Sequence, residues 1–241
     1  MPRLYALADL HLSMTGRKPM DVFGEEWRDH ATRMAEAWDS RVTAGDGVLL
    51  AGDLSWAENL AEAVPDLAWI AARPGKKLLL RGNHDSWWKS ATKIMAAMPP
   101  GCAVLQNDAH LVAGRVVIGA RGWVAPDDEG ATEADVAVYR REIERLKLSI
   151  ADADRRFGRA APRIAMVHFP PWIEGRAATE VVAILRAAKV ADCVYGHLHG
   201  ADMSLGVTGE RDGIRFHLVS ADAVGFAPAE IPSAPLAGAS R

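Results

Sequence analysis

Cysteine is scarce in this chain. Its 241 residues include two, Cys102 and Cys193, and neither lies in a CxxC pair. A disulfide scaffold is therefore excluded, thiolate zinc knots are argued against, and both thiols are expected as buried apolar side chains in a reducing compartment. An excess of charge is missing too: 28 Lys and Arg face 31 Asp and Glu, a net charge of −3. That balance argues against a broad grip on nucleic acid or anionic lipid. The basic pair Arg17-Lys18 is too short to make such a patch. No run approaches the roughly 18 apolar residues that span a bilayer, so no membrane partner is expected. The opening segment is interrupted by Asp9 before an export core can form. It reads as a first strand, and the cytoplasm is the expected address.

What is present is an ordinary globular composition, 49% hydrophobic and 24% charged, at a length that suits one large domain. Short apolar runs alternate with amphipathic segments, the pattern of an α/β fold. Strands are predicted at Arg3–Ala8, Val48–Ala51, Lys77–Leu80, Val116–Ala120, Arg163–Val167, Asp192–Tyr195 and Ile214–Val219, with shorter ones at Val104–Leu105 and Leu111–Ala113. Trp27, Ala31, Met34 and Trp38 form one stripe of a helix over Glu25–Val42, and Val136, Tyr139, Ile143, Leu146 and Ile150 form another over Glu133–Ile150. Shorter helices are predicted at Ala57–Ala72, Ser86–Ala97 and Thr179–Ala188, with Pro65 kinking the first or starting a new one. One domain is expected over residues 1–226. Residues 227–241, rich in Ala, Pro, Ser and Gly, are expected as a mobile or surface-draped tail.

The chemistry lies at the carboxyl end of each strand. The first strand runs into Asp9-Leu10-His11, the second into Gly52-Asp53, and the third into Gly82-Asn83-His84-Asp85. His168 comes directly after a later strand, and Gly196-His197-Leu198-His199 after another. Ligand sites of α/β sheets gather at such ends, so five of them deliver carboxylate, amide and imidazole groups toward one edge. Each fragment alone is an ordinary turn or a core histidine; their order is what carries the signal. Oxygen donors mixed with neutral imidazoles suit Mn, Fe, Zn, Co or Ni. Seven donor groups are too many for one ion and suit two, if one carboxylate bridges them.

This series resembles the calcineurin-like metallophosphoesterase family, and the motifs run in order from residue 9 to residue 199. The closer likeness is to the small bacterial-type phosphohydrolases. The resemblance implies a four-layer α/β/β/α sandwich. It implies one metal held by Asp9, His11, Asp53 and His199, and a second held by Asp53, Asn83, His168 and His197. His84 would be the catalytic histidine beside the metals, oriented by Asp85. The implied activity is metal-dependent hydrolysis of a phosphomonoester or phosphodiester of small size, by attack of a metal-bound hydroxide.

Alternatives are a nuclease of the same superfamily, against which the charge balance speaks, and a non-catalytic metal-binding scaffold, in which His84 would have no task. Substrate choice is expected in the loops Met14–Gly24, Trp87-Trp88, Trp123–Gly130 and Trp172–Arg176. Within these, Trp87-Trp88 is expected to pack the following helix, with stacking on a planar leaving group as the alternative. Trp172 is expected as a pocket wall. Arg121 reads as one half of a salt bridge or as a phosphate clamp, and Arg81 is equally ambiguous. His217 is expected in the core or behind a ligand, and His30 and His110 as structural or solvent-facing. The charged run Arg140–Lys147 reads as the wet face of its helix.

Overall fold

The computed structural model describes residues 1–16 and 18–232; Arg17 and the stretch 233–241 of the expected tail lie outside it. The elements run β1 (Leu4–Leu7), α1 (His30–Arg41), β2 (Gly47–Leu50), α2 (Leu60–Ala72), β3 (Lys76–Leu79), α3 (Ala91–Ala97), β4 (Cys102–Val104), β5 (His110–Val112), β6 (Arg115–Ala120), α4 (Glu133–Phe157), β7 (Arg163–Val167), α5 (Glu180–Ala187), β8 (Val190–Tyr195), β9 (Gly209–Arg211), β10 (Ile214–Leu218) and β11 (Ala229–Glu230). They make two sheets, ordered β11-β1-β2-β3-β4 and β5-β6-β7-β8-β10-β9. The strands that lead into the motifs are parallel to their neighbours, with β1 beside β2, β2 beside β3, and β7 beside β8.

Alternation along the strands builds the layers. Tyr5, Leu7, Val48, Leu50 and Leu79 point outward to meet Met34 and Trp38 of α1, Leu67 and Ile70 of α2, and Ile94 of α3. Leu4, Ala6, Leu49 and Leu78 point the other way and meet Val117, Ile164, Met166 and Val194 of the second sheet. The second sheet's far face sends Val116, Ile118, Ala165, Val167, Cys193 and Tyr195 against Tyr139, Ile143 and Leu146 of α4 and Val182 and Leu185 of α5. Three apolar interfaces therefore bind four layers, α/β/β/α. Sheets covered on both faces call for strands that are mostly apolar, as these are, with the exceptions Lys77, Arg115, Arg163 and Asp192 buried within them.

Where the elements differ from expectation, the cause is local. The stripe beginning at Trp27 is broken, because Asp29 adopts a left-handed φ of 53° and separates a short 3-10 turn from α1. Pro65 sits inside α2 and starts no new helix, while the Asn59 side chain caps the first turn by accepting from Glu62 N–H at 3.2 Å. A capping box of Thr132 and Asp135 starts α4, which runs on to Phe157. The segment after residue 226 is not a loose tail from its first residue: Ala227 and Ile231 are buried, and Ala229–Glu230 pairs antiparallel with β1. Among the described residues no helix is long and apolar enough to cross a membrane. Both cysteines are free, Cys193 buried and Cys102 half-buried.

Asp192 fastens the middle of the second sheet. Fully buried, it receives Arg115, Arg215 Nε at 3.0 Å and His217 Nε2 at 2.9 Å. His217 thus supports the sheet, away from the strand-end motifs. Burial pushes the Asp192 carboxyl up, but the hydrogen bonds from His217 and Arg215 and the charge of Arg115 outweigh it and hold the pKa at about 2. Because the folded value lies below the roughly 3.9 of an unfolded aspartate, its stabilisation is complete above about pH 4 and is lost as pH falls toward 2. Asp192→Ala should cost roughly 3–5 kcal/mol at pH 7, by stranding the buried Arg115 guanidinium. Urea melts at pH 7 and pH 3 should show the gap between variant and parent narrowing at the lower pH.

Candidate metal centre

The strand ends converge as expected, and the backbone bends sharply to bring them together. Asp9, His11, Asp53 and His197 all adopt left-handed φ values, 56°, 45°, 52° and 75°. Such conformations cost on the order of 1 kcal/mol or more each for non-glycine residues and persist where surrounding structure enforces them. Here the enforcement is a set of backbone bonds between loops, with Asp9 N–H donating to Gly52 O at 2.8 Å and His11 N–H to Asp53 O at 3.0 Å. Two glycines are required by close approach. A Cβ at Gly82 would collide with the Asp53 carboxylate, and one at Gly196 with the Asp9 carboxylate.

The two carboxylates are fixed in the same way. Asp53 Oδ1 accepts from His84 N–H at 2.8 Å, leaving Oδ2 3.4 Å from His168 Nε2. Asp9 Oδ2 accepts from His197 N–H at 2.9 Å, leaving Oδ1 3.3 Å from His199 Nε2 and 4.0 Å from His11 Nε2. Asn83 Oδ1 stands 2.7 Å from His168 Nε2 and 3.0 Å from His197 Nδ1. All seven residues expected as ligands are thus brought together. Six of them fall into two groups, Asp9-His11-His199 and Asp53-His168-His197, each able to hold a metal ion. His84 is exposed beside them, its ring 5.7 Å from that of His11.

The donor chemistry calls for cations. His168 Nδ1 donates to Ala51 O at 2.9 Å, and His199 Nδ1 to Asp222 Oδ1 at 2.9 Å. Those bonds turn each Nε2 toward carboxylate or amide oxygen, so lone pair meets lone pair unless a proton or a metal lies between. Burial opposes a proton on His168, yet the charge and hydrogen bond of Asp53 raise its pKa to about 9. Burial likewise opposes one on His199, but Asp222 and Asp9 raise it to about 10. The other two imidazoles are held neutral: burial lowers His11 and His197 to about 4. Asp9 Oδ1 and His11 Nδ1 are buried with no hydrogen-bond partner. Neutral imidazoles, unpartnered oxygen and imposed protonation together fit divalent cations.

Three surrounding residues correct or extend the sequence reading. Asp85 does not orient the His84 ring. Fully buried, it accepts from the N–H groups of Leu54, Ser55 and Gly82 and from Trp87 Nε1, and so ties the β2 loop to the β3 loop. Burial, with Asp53 nearby, pushes its pKa up to about 6. Trp56 is absent from the sequence expectations; it stacks on His11 at 4.8 Å and touches the His84 ring at 4.7 Å. Asp222 is absent from them too, although it lies just beyond β10 as the other donors lie beyond their strands, and the same strand-end rule would have found it.

Trp87 and Trp88 are core residues, each 2% exposed, so their role is packing. Trp172 packs on Phe216 and forms no wall of the cavity beside His197. Arg121 is the salt-bridge partner of Glu142 at 3.4 Å and lies over Trp123. Glu142 is itself buried and also binds Arg145, so the charged run on α4 is not wholly a wet face. His30 is half-buried against Trp27, and His110 pairs with Asp108 at 3.1 Å.

Carboxylate, amide and imidazole donors thus converge at the strand ends of two mixed sheets, in two groups that could each hold a metal ion. Residues 2–201 match the calcineurin-like phosphoesterases, and the chain belongs to that family. Part of the sequence is shared with the Gene 66 protein of Mycobacterium phage L5, 33% identical over 85 residues that cover 35% of this chain and 41% of that protein. The Gene 66 protein of Mycobacterium phage D29 is 42% identical over 57 residues, covering 24% of this chain and 28% of that protein. The matches therefore span less than half the length of these curated relatives. Among solved structures, the phosphopantetheinyl hydrolase of Mycobacterium tuberculosis shares the fold over 98% of each chain, with a TM-score of 0.60 and 17% identity.

Asp222 orients His199 as a carboxylate behind a metal-binding imidazole does. Asp222→Asn should lower metal affinity by about 10- to 100-fold, measured by competition with a chromogenic chelator. An unchanged affinity would remove Asp222 from the site.

Proposed function

We propose that the protein hydrolyses small phosphomonoesters or phosphodiesters with two divalent transition-metal ions. The observation that carries this reading is the set of inward imidazole nitrogens facing oxygen lone pairs at His168 and His199. Asp9, His11 and His199 would hold one ion, and Asn83, His168 and His197 the other. Asp53 would be shared between them, as the family resemblance implies, with its Oδ2 3.4 Å from His168 Nε2. Such a pair of ions, when bound, makes hydroxide available from water near neutral pH and neutralises the phosphoryl oxygens.

The chain's own residues supply the rest. The loop after β3 places Asn83 as a donor and turns His84 N–H onto Asp53, so the segment that holds the centre also positions the His84 ring at its mouth. As the P–O bond to the leaving group breaks, His84 would give that oxygen its proton, a contribution typically of about 10²- to 10⁴-fold. The wall made by Trp56 and Trp27 keeps bulk water off His11 and strengthens electrostatic interactions at the centre.

Purified protein should hold about two metal ions per chain and, with Mn²⁺, hydrolyse p-nitrophenyl phosphate or bis-p-nitrophenyl phosphate. His84→Ala should keep both ions and lose roughly 100-fold or more in kcat. A protein that binds metal and cleaves neither ester would be a metal-binding scaffold.

A further inference from the structure

A cavity of about 310 Å³ opens beside the centre, and His197 forms part of its wall. Its floor is α4, through Tyr139, Ile143, Leu146 and the buried Glu142, whose charge is held by Arg121 and Arg145, and its near wall is Trp123, Phe169 and Leu198. The Phe169 ring lies 4.1 Å from the His197 ring, so the apolar surface begins where the expected metal ligands end. This is the size and character of a small-ligand site, largely apolar with few polar groups. Its mouth is formed by two loops latched by the Arg176–Asp128 ion pair, and it carries Asp127, Asp128 and Glu129 against that single arginine.

We propose that this cavity receives the leaving group of the substrate, and that the substrate is a phosphate ester of an uncharged, aliphatic alcohol. The inference rests on the phosphoesterase reading above and adds the class of alcohol to it. A phosphate seated at the centre has the cavity directly beside His197, so the ester chain can lie along Phe169 toward α4. Apolar walls favour methylene groups, and the surplus of acids at the mouth disfavours a leaving group with its own negative charge. Nucleoside polyphosphates and carboxylated alcohols are thereby selected against.

The Mn²⁺-loaded enzyme tested on n-alkyl phosphates from ethyl to hexyl should gain about two- to fourfold in kcat/KM per methylene. 5-Carboxypentyl phosphate should fall at least about tenfold below hexyl phosphate. Ala177→Trp places an indole on an exposed position of the cavity lining. It should abolish the chain-length gain and leave ethyl phosphate within about twofold, because ethyl phosphate scarcely enters the cavity. Titration calorimetry with octan-1-ol gives a readout independent of turnover, with binding to the parent chain, a negative heat-capacity change, and no binding to Ala177→Trp. A flat alkyl series, a preference for the carboxylated ester, or octan-1-ol binding that is absent or unaffected by Ala177→Trp would overturn the proposal. Failure to cleave any ester, with octan-1-ol still bound in the cavity, would instead overturn the phosphoesterase reading.

Discussion

Two buried carboxylates govern this structure. Asp9 and Asp53 are removed from water almost completely, and a buried carboxylate is costly unless hydrogen-bonded and charge-compensated. Each meets the first need with one oxygen on the N–H of a distant loop, His197 for Asp9 and His84 for Asp53. The second oxygen of each faces histidine. Each carboxylate thus pins the loop of another strand, so that the site and the loop connections form one network. Displacing either carboxylate would release two strand ends together.

That network explains features that no single element would produce. Left-handed backbone at Asp9, His11, Asp53 and His197 is unfavourable locally and is held by bonds between loops. The sheets are joined close to the same point, where Ala8 N–H donates to Val219 O at 2.8 Å and bridges β1 to the end of β10. Gly196 N–H donates to His168 O at 3.1 Å, linking the two histidine loops of the second sheet. Three packed interfaces behind this edge make the frame stiff enough to fix donor atoms.

Most of this was legible in the sequence because the donors come directly after apolar strands, where no long loop intervenes to blur their position. Asp9 lies two residues beyond Leu7, and His168 directly after Val167. The long helices were legible for a similar reason, their stripes being regular. What escaped depends on contacts across the chain. Asp222 is an unremarkable loop residue until His199, 23 positions earlier, is found against it. Trp56 becomes a wall only once β1 and β2 are adjacent. Asp85 sits beside His84 in sequence, yet its side chain turns inward to three backbone N–H groups, a direction that no spacing encodes. The pairing of Ala229–Glu230 with β1 was hidden by a composition that reads as a tail.

The aromatic surroundings divide the centre into two chemically distinct sides. Trp56 and Trp27 stand against His11, and Trp27 also reaches His199. Phe169 backs His168 and His197. Both walls exclude water and so strengthen the interaction between carboxylate and whatever positive charge lies beside it. The Phe169 side continues into a cavity lined by Trp123, Pro170 and Pro171, with Trp123 Nε1 tied to Asp135 of α4 at 2.9 Å. On the tryptophan side, exposed His84 marks the mouth. In the proposed reaction, a phosphate between these walls would meet His84 on one side and an apolar recess on the other. For a leaving group to use both, its first oxygen must remain near His84 while its chain turns past His197, which favours a flexible alcohol over a rigid planar one.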